Sequence, residues 1–426
     1  MSAELSQGTH RSSLTATDIE VAAQRISNVV TRTPLQYCDR LSDLTGARVY
    51  LKREDLQAVR SYKLRGAYNV LMQLTDEEKA AGVVCSSAGN HAQGFALACK
   101  SMGVHGRVYV PAKTPKQKRD RIRYHGGDFI ELIVGGATYD LAAEAALADV
   151  ASTGATLVPP YDDLRTMAGQ GTIAVEILEQ LDGEPDLVIV PVGGGGCISG
   201  ITTYLAEHTT ATAVLGAEPA GAASMVAALA KGGPVTLDHA DQFVDGAAVA
   251  RAGTLTYAAL AAAGDMVSIN TVDEGAVCTA MLDLYQNEGI IAEPAGALSV
   301  AALMEADIAP GSTVVCLISG GNNDVSRYGE VLERSLVHLG LKHYFLVNFP
   351  QEPGALRRFL DQVLGPNDDI TLFEYVKRNN RETGAALVGI ELGSAADHDG
   401  LLHRMRDSGI HAEVLEPGSP SYRYLI

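Results

Sequence analysis

The short run "VRSYKLRGAYN", residues 59–69, sets Lys63 among small and polar residues at the expected start of a helix. A lysine with an ordinary pKa near 10 is a poor nucleophile at neutral pH, so chemistry at Lys63 requires surroundings that keep its amine neutral. A second run, "PVGGGG", places Gly193, Gly194, Gly195 and Gly196 between an apolar strand and a helical stretch beginning at Cys197. Four residues without Cβ let consecutive backbone N–H groups wrap an anion, and a helix N-terminus adds its positive dipole end. The spacing is not GxGxxG, because Ile198 and Ser199 stand where a third glycine would fall, so a single phosphate fits better than a dinucleotide. A third run, "SSAGNHAQG" (86–94), closes another strand with hydroxyl and N–H donors suited to a carboxylate or phenolate, and "ISGGNND" (318–324) has the same character. Each has a plain structural alternative: a basic helix face around Lys63 with Arg60 and Arg65, a packing turn of glycines, and serine-rich helix caps. Together they match the needs of a phosphate-bearing aldehyde held on a lysine, which is pyridoxal phosphate.

These runs need a scaffold that brings strand ends together. From residue 19 to about 330 the chain repeats one theme, in which a β-branched apolar run ends in small residues and an Ala/Leu-rich amphipathic stretch follows. "GVVCSSAGNHAQGFALACKSMG", "GRVYVPAKTPKQKRDRIRYHGG", "DLVIVPVGGGGCISGITTYLAEH" and "STVVCLISGGNNDVSRYGEVLERS" are four instances. Continuous apolar strands alternating with helices predict an α/β fold with parallel sheet covered on both faces and its ligand at the strands' carboxyl ends. After about residue 342 the order becomes strand ("HYFLVNFP"), helix ("PGALRRFLDQVL"), two strands ("DITLFEYVKR", "GAALVGIEL") and helix ("DHDGLLHRMRDSG"), an α+β module of ferredoxin-like length. The expected organisation is a lead over 1–18, a catalytic domain over 19–340 with two α/β subdomains, and a small domain over 341–426.

Bulk properties narrow the function classes. The 426 residues are 46% apolar, with a net charge of −18 from 33 basic and 51 acidic side chains, which argues against nucleic acid or an anionic membrane as partner. Six cysteines without CxxC spacing suit reduced thiols in the cytoplasm, and the eleven histidines form no metal-binding pattern, so no metal is expected. GxxxxGK[ST] and GxSxG are both absent, which removes the P-loop and hydrolase-elbow readings.

Over residues 20–335 the segments "LKREDLQAVRSYKLRGAYN", "SSAGNHAQG", "PVGGGG", "GAEP", "EPAGA" and "ISGGNND" resemble, in order, the signature set of fold-type II pyridoxal-phosphate enzymes, within them the threonine dehydratases (threonine ammonia-lyases). Residues 343–426 are similar to the ACT-like regulatory domain of the short-form members, which carry one such module. The resemblance implies an internal aldimine at Lys63, Asn90 on the cofactor's 3′ oxygen, Gly193 to Gly196 and the Cys197 N–H on the phosphate, and Ser319 facing the pyridine nitrogen. Ser86, Ser87, Ala88 and Gly89 would meet the substrate carboxylate. Cys197 departs from the leucine or methionine usual in the family, and Glu293 is expected near the cofactor without an assigned role. The implied reaction is deamination of L-threonine to 2-oxobutanoate by β-elimination, in a homotetramer, with isoleucine as allosteric inhibitor through the C-terminal module. That module also reads as a ligand-free dimerisation unit. Rival functions are a serine dehydratase or racemase, a β-replacement enzyme, and a non-catalytic sensor that keeps the cofactor structurally.

Overall fold

The computed structural model describes residues 13–375, 383–417, 419 and 422. It divides into two compact units, residues 1–274 with 284–323, and residues 275–283 with 324–426.

The first unit holds two sheets. In the six-stranded sheet the spatial order is Leu35–Tyr37, Arg48–Arg53, Thr313–Ile318, Leu187–Pro191, Ala213–Pro219 and Val267–Val272. All neighbours are parallel except the three-residue edge strand Leu35–Tyr37, which runs antiparallel to Arg48–Arg53. The four-stranded sheet is parallel throughout, in the order Ile130–Val134, Gly106–Val110, Val83–Ser86 and Thr156–Leu157. Strands such as Thr313–Ile318 are buried at every position, the expected consequence of helices on both faces. Thus the parallel sheet expected from the repeating strand–helix theme is present, as two separate sheets. Within the segment 1–18 expected as a lead, Thr15 caps a helix over Ala16–Ile26 with a reciprocal bond to Asp18. Of that lead, residues 1–12 lie outside the described residues.

Two features fix the helix that begins at Lys63 (Lys63–Leu71). Arg65 is fully buried and bonds Glu54 and Glu176, each at 2.7 Å, while buried Lys52 also pairs with Glu176 at 2.5 Å. Charges removed from water persist only when paired and hydrogen-bonded, so this network ties the helix start to the strand Arg48–Arg53 and the helix Leu164–Gln180. Glycines then let backbones touch. A Cβ at Gly94 would lie 2.9 Å from the Leu64 nitrogen, and one at Gly169 would lie 2.6 Å from the Arg65 carbonyl oxygen. Neither position tolerates a side chain without moving a helix.

The second unit contains an antiparallel sheet in the order Asp369–Tyr375, Thr383–Glu391, Lys342–Pro350 and His411–Val414. Helices Ala355–Val363 and His398–Asp407 complete a β-α-β-β-α-β order. The last strand, His411–Val414, is absent from the sequence reading, whose pattern stops at the second helix. The expected strand "DITLFEYVKR" is observed to Tyr375, and its end, Val376 to Arg378, lies outside the described residues. The helix Tyr328–His338, placed by sequence in the larger domain, groups with this unit.

Candidate active site

Strand ends of the first unit supply the site. The strand Thr313–Ile318 ends at Ser319, whose carbonyl accepts from the Tyr62 N–H at 3.2 Å, and Ser61 bridges to Gly320. This places Lys63, first residue of its helix, directly beside the "SGGNN" turn. The Lys63 Nζ donates to the Pro160 carbonyl at 3.1 Å and lies 5.2 Å from the Tyr62 ring centroid. Burial lowers its pKa from 10.5 to about 8, partly opposed by Cys197 and Glu293. Removing an ammonium from water favours the neutral amine, which is what a nucleophile or base at this position needs. At pH 7.5 roughly a quarter of such an amine is neutral, against roughly 0.1% for an ordinary lysine.

The residue after Pro160 joins Lys63 to the glycine loop. A Cβ on Gly194 would meet the Tyr161 ring at 2.4 Å, and one on Gly196 would meet the Tyr161 Cα at 2.9 Å. Gly195 adopts φ +93°, a left-handed conformation suited to glycine, and its Cβ would strike Met225 at 2.4 Å. The Gly194 carbonyl is held by the Thr256 hydroxyl at 2.7 Å. Gly196 and Cys197 open the helix Gly196–His208, so their N–H groups have no intrahelical acceptor. The loop is therefore closely packed and leaves N–H groups free to meet an anion. The Cys197 thiol is buried and pushed up to about 12 by that burial, so it stays protonated, and only its backbone serves the cradle.

Opposite lies "SSAGN". Ser86 to Gly89 precede the helix Asn90–Met102, and the Ser86 Oγ is buried with no hydrogen-bond partner. A buried hydroxyl without a partner carries an energetic cost that a ligand oxygen would relieve. The Ser87 hydroxyl accepts from the Gly89 N–H at 3.3 Å, and the Tyr139 hydroxyl donates to the Ser86 carbonyl at 3.1 Å. Ala88 has only its backbone to offer. Asn90 donates through Nδ2 to Glu293 and accepts at Oδ1 from Asn322 at 2.8 Å. Burial raises the Glu293 carboxyl to about 7, with Asp245 adding repulsion and the Asn90 bond opposing. The Ser319 hydroxyl donates to the Ala295 carbonyl at 3.2 Å, in the first turn of the helix Pro294–Glu305.

All the residues singled out by sequence thus belong to one unit, and direct contacts link Lys63, Asn90, the glycine loop and Ser319 to the same few segments. Three participants went unassigned. Glu293 was expected nearby but has a defined partner in Asn90; Asn322 was quoted within "ISGGNND" without a role; Tyr161, the packing partner of the cradle, carries no motif. Among the described residues no group of three or more His, Cys, Asp or Glu is placed to hold a metal ion. The donors present fit pyridoxal phosphate: an amine with a lowered pKa, free N–H groups where the glycine run opens a helix, and an unpartnered hydroxyl.

Residues 26–320 match the pyridoxal-phosphate dependent enzymes, and residues 333–425 match the C-terminal regulatory domain of threonine dehydratase. The chain belongs to the family of pyridoxal-phosphate dependent enzymes. It is 83% identical over its full length, and that of the relative, to the biosynthetic L-threonine dehydratase (IlvA) of Mycobacterium tuberculosis. It is 51% identical to the enzyme of the same name from Bacillus subtilis, covering 95% of this chain and 96% of that one. Among solved structures, processed threonine deaminase isoform 2 of Solanum lycopersicum superposes with a TM-score of 0.71 at 37% identity, over 75% of this chain and 93% of that chain. Maize serine racemase gives 0.70 at 31% identity, over 76% and 99%.

Proposed function

We infer that the chain is a pyridoxal-phosphate dependent threonine ammonia-lyase that converts L-threonine to 2-oxobutanoate and ammonia. The observation that carries the reading is Lys63, an amine with a lowered pKa, tied through Pro160 and Tyr161 to the glycine cradle. Identity to threonine dehydratases along the whole chain supports the choice of substrate. When bound, pyridoxal phosphate supplies a carbonyl for the substrate amine and a ring that accepts the electron pair left at Cα.

The chain's own groups do the rest. Lys63 would hold the cofactor through its amine and, when free and neutral, would take the Cα proton as a base. Gly193 to Gly196 and the Cys197 N–H hold the phosphate. Ser86 to Gly89 orient the substrate carboxylate, and the unpartnered Ser86 hydroxyl is the donor available for it. The Asn90 amide addresses the 3′ oxygen. Ser319 would face the ring nitrogen once its hydroxyl turned from the Ala295 carbonyl to donate there, and a neutral hydroxyl would hold a proton on that nitrogen less firmly than a carboxylate, which favours elimination over transamination. Together the Cα proton and the β-hydroxyl are lost as one water, leaving an enamine that tautomerises and hydrolyses to the 2-oxo acid and ammonia.

Borohydride reduction followed by peptide mapping tests the reading. The pyridoxyl group is expected on Lys63, and labelling of another amine overturns it. A second reading, a serine dehydratase or racemase, draws on the likeness to maize serine racemase. Faster ammonia release from serine than from threonine would favour it. The C-terminal unit, as the regulatory part, is expected to bind isoleucine and lower activity in a homotetramer. Saturating isoleucine that leaves threonine turnover unchanged would remove that assignment, and a sedimentation mass other than four chains would remove the tetramer. Among the described residues no helix is long and apolar enough to cross a membrane.

A further inference from the structure

Arg121, on the helix Lys116–Gly126, reaches the candidate site through Asn322. Its Nη2 donates to the Asn322 Oδ1 at 3.2 Å and its Nε to the Gln93 Oε1 at 3.4 Å. Both partners are neutral amides. A guanidinium only donates, so each amide must turn its oxygen toward it. The Asn322 NH2 group then faces the other way, donating to the Val59 carbonyl and to the Asn90 Oδ1, both at 2.8 Å. With its oxygen occupied, Asn90 has only its NH2 group to present onward, and here that group meets Glu293. Every hydrogen bond in the row Arg121, Asn322, Asn90 runs in one direction, away from the cation. Arg121 is half-buried, so water screens its charge less than at a free surface, and although burial and the neighbouring Arg60 lower its pKa, a guanidinium stays protonated.

We propose that Arg121 is a positioning residue that sets the polarity of the Asn322–Asn90 amide pair and so keeps the bound cofactor's 3′ oxygen in its ionised form. The proposal rests on the reading above that Asn90 addresses that oxygen. A nearby cation favours the more negative state of the cofactor, so its loss makes protonation easier.

The test is a pH titration of the visible absorption of the cofactor-loaded protein, for the parent and for Arg121→Met, Arg121→Lys and Asn90→Ala. Arg121→Met is expected to raise the protonation midpoint by roughly half a unit to one unit, the size expected for one charge at such range in a partly screened site. Arg121→Lys keeps the charge and should fall near the parent. A purely structural role for Arg121 would alter stability or cofactor affinity without moving the midpoint, and would not be relieved by lysine. An unchanged midpoint in Arg121→Met overturns the proposal. If Asn90→Ala moves the midpoint in that case, the placement of Asn90 survives; if Asn90→Ala also leaves it fixed, that placement falls too.

Discussion

The glycine cradle offers a sharp test, through Gly194→Ala. The added Cβ would lie 2.4–2.5 Å from three atoms of the Tyr161 ring, where ordinary contact begins near 3.4 Å, so the ring must withdraw by roughly 1 Å. It has little freedom to do so. The Tyr161 hydroxyl donates to the Arg251 carbonyl at 3.2 Å, and the adjoining Asp162 carboxylate accepts from the Thr254 and Leu255 N–H groups at 2.9 and 2.8 Å. Overpacking of this kind costs about 1–3 kcal/mol. If the strain is released by displacing the cradle, affinity for the cofactor falls roughly 5- to 150-fold, at about 1.4 kcal/mol per factor of ten. Fluorescence titration of the cofactor-free protein measures this directly. Pyridoxal, which lacks the phosphate, provides the comparison, and its affinity should change far less. Gly233→Ala, where a Cβ meets nothing within 4 Å, is the neutral control. Adding Tyr161→Ala to Gly194→Ala should recover part of the loss by removing the obstacle. Binding of pyridoxal phosphate to Gly194→Ala within twofold of the parent would refute both the steric argument and the placement of the phosphate.

Two further outcomes follow from buried charges. Burial raises the Glu293 carboxyl to about 7 in the folded protein, above its ordinary 4.5, so the stability tied to its proton is full below about 4.5 and lost as pH rises toward 7. Cofactor-free Glu293→Gln should therefore gain melting temperature over the parent across that interval and hold the margin above it; a pH-independent difference contradicts the burial argument. Arg65→Ala leaves the fully buried Glu54 carboxylate with Lys52 as its remaining cationic neighbour, and should cost about 3–5 kcal/mol in urea unfolding of the first unit. A loss below about 1 kcal/mol would mean that the network is dispensable.

The sequence by itself determined the strand–helix alternation, the change of pattern after about residue 342 and the residues at the strand ends. Those features are local: apolar runs of strand length, glycines that no other residue can replace in a tight cradle, and a lysine in a small-residue turn. The resemblance to a known family then gave each of these residues a chemical role. What tertiary structure decided lies in contacts across long sequence separations. Nothing near Lys63 in the chain announces that the Pro160 carbonyl will accept its hydrogen bond or that Tyr161 will press on Gly194. Likewise the lowered pKa of Lys63 and the raised one of Glu293 come from burial, a property of the packed whole. The C-terminal strand His411–Val414 escaped the pattern because four residues give too short a period to read, and it exists by pairing with Phe345–Asn348. Asn322 and Arg121 show the same limit. An asparagine in a glycine turn and an arginine on a basic helix look like solvated polar residues until the fold brings Asn90 between Asn322 and Glu293, and the direction of a hydrogen bond is settled only by the groups at both of its ends.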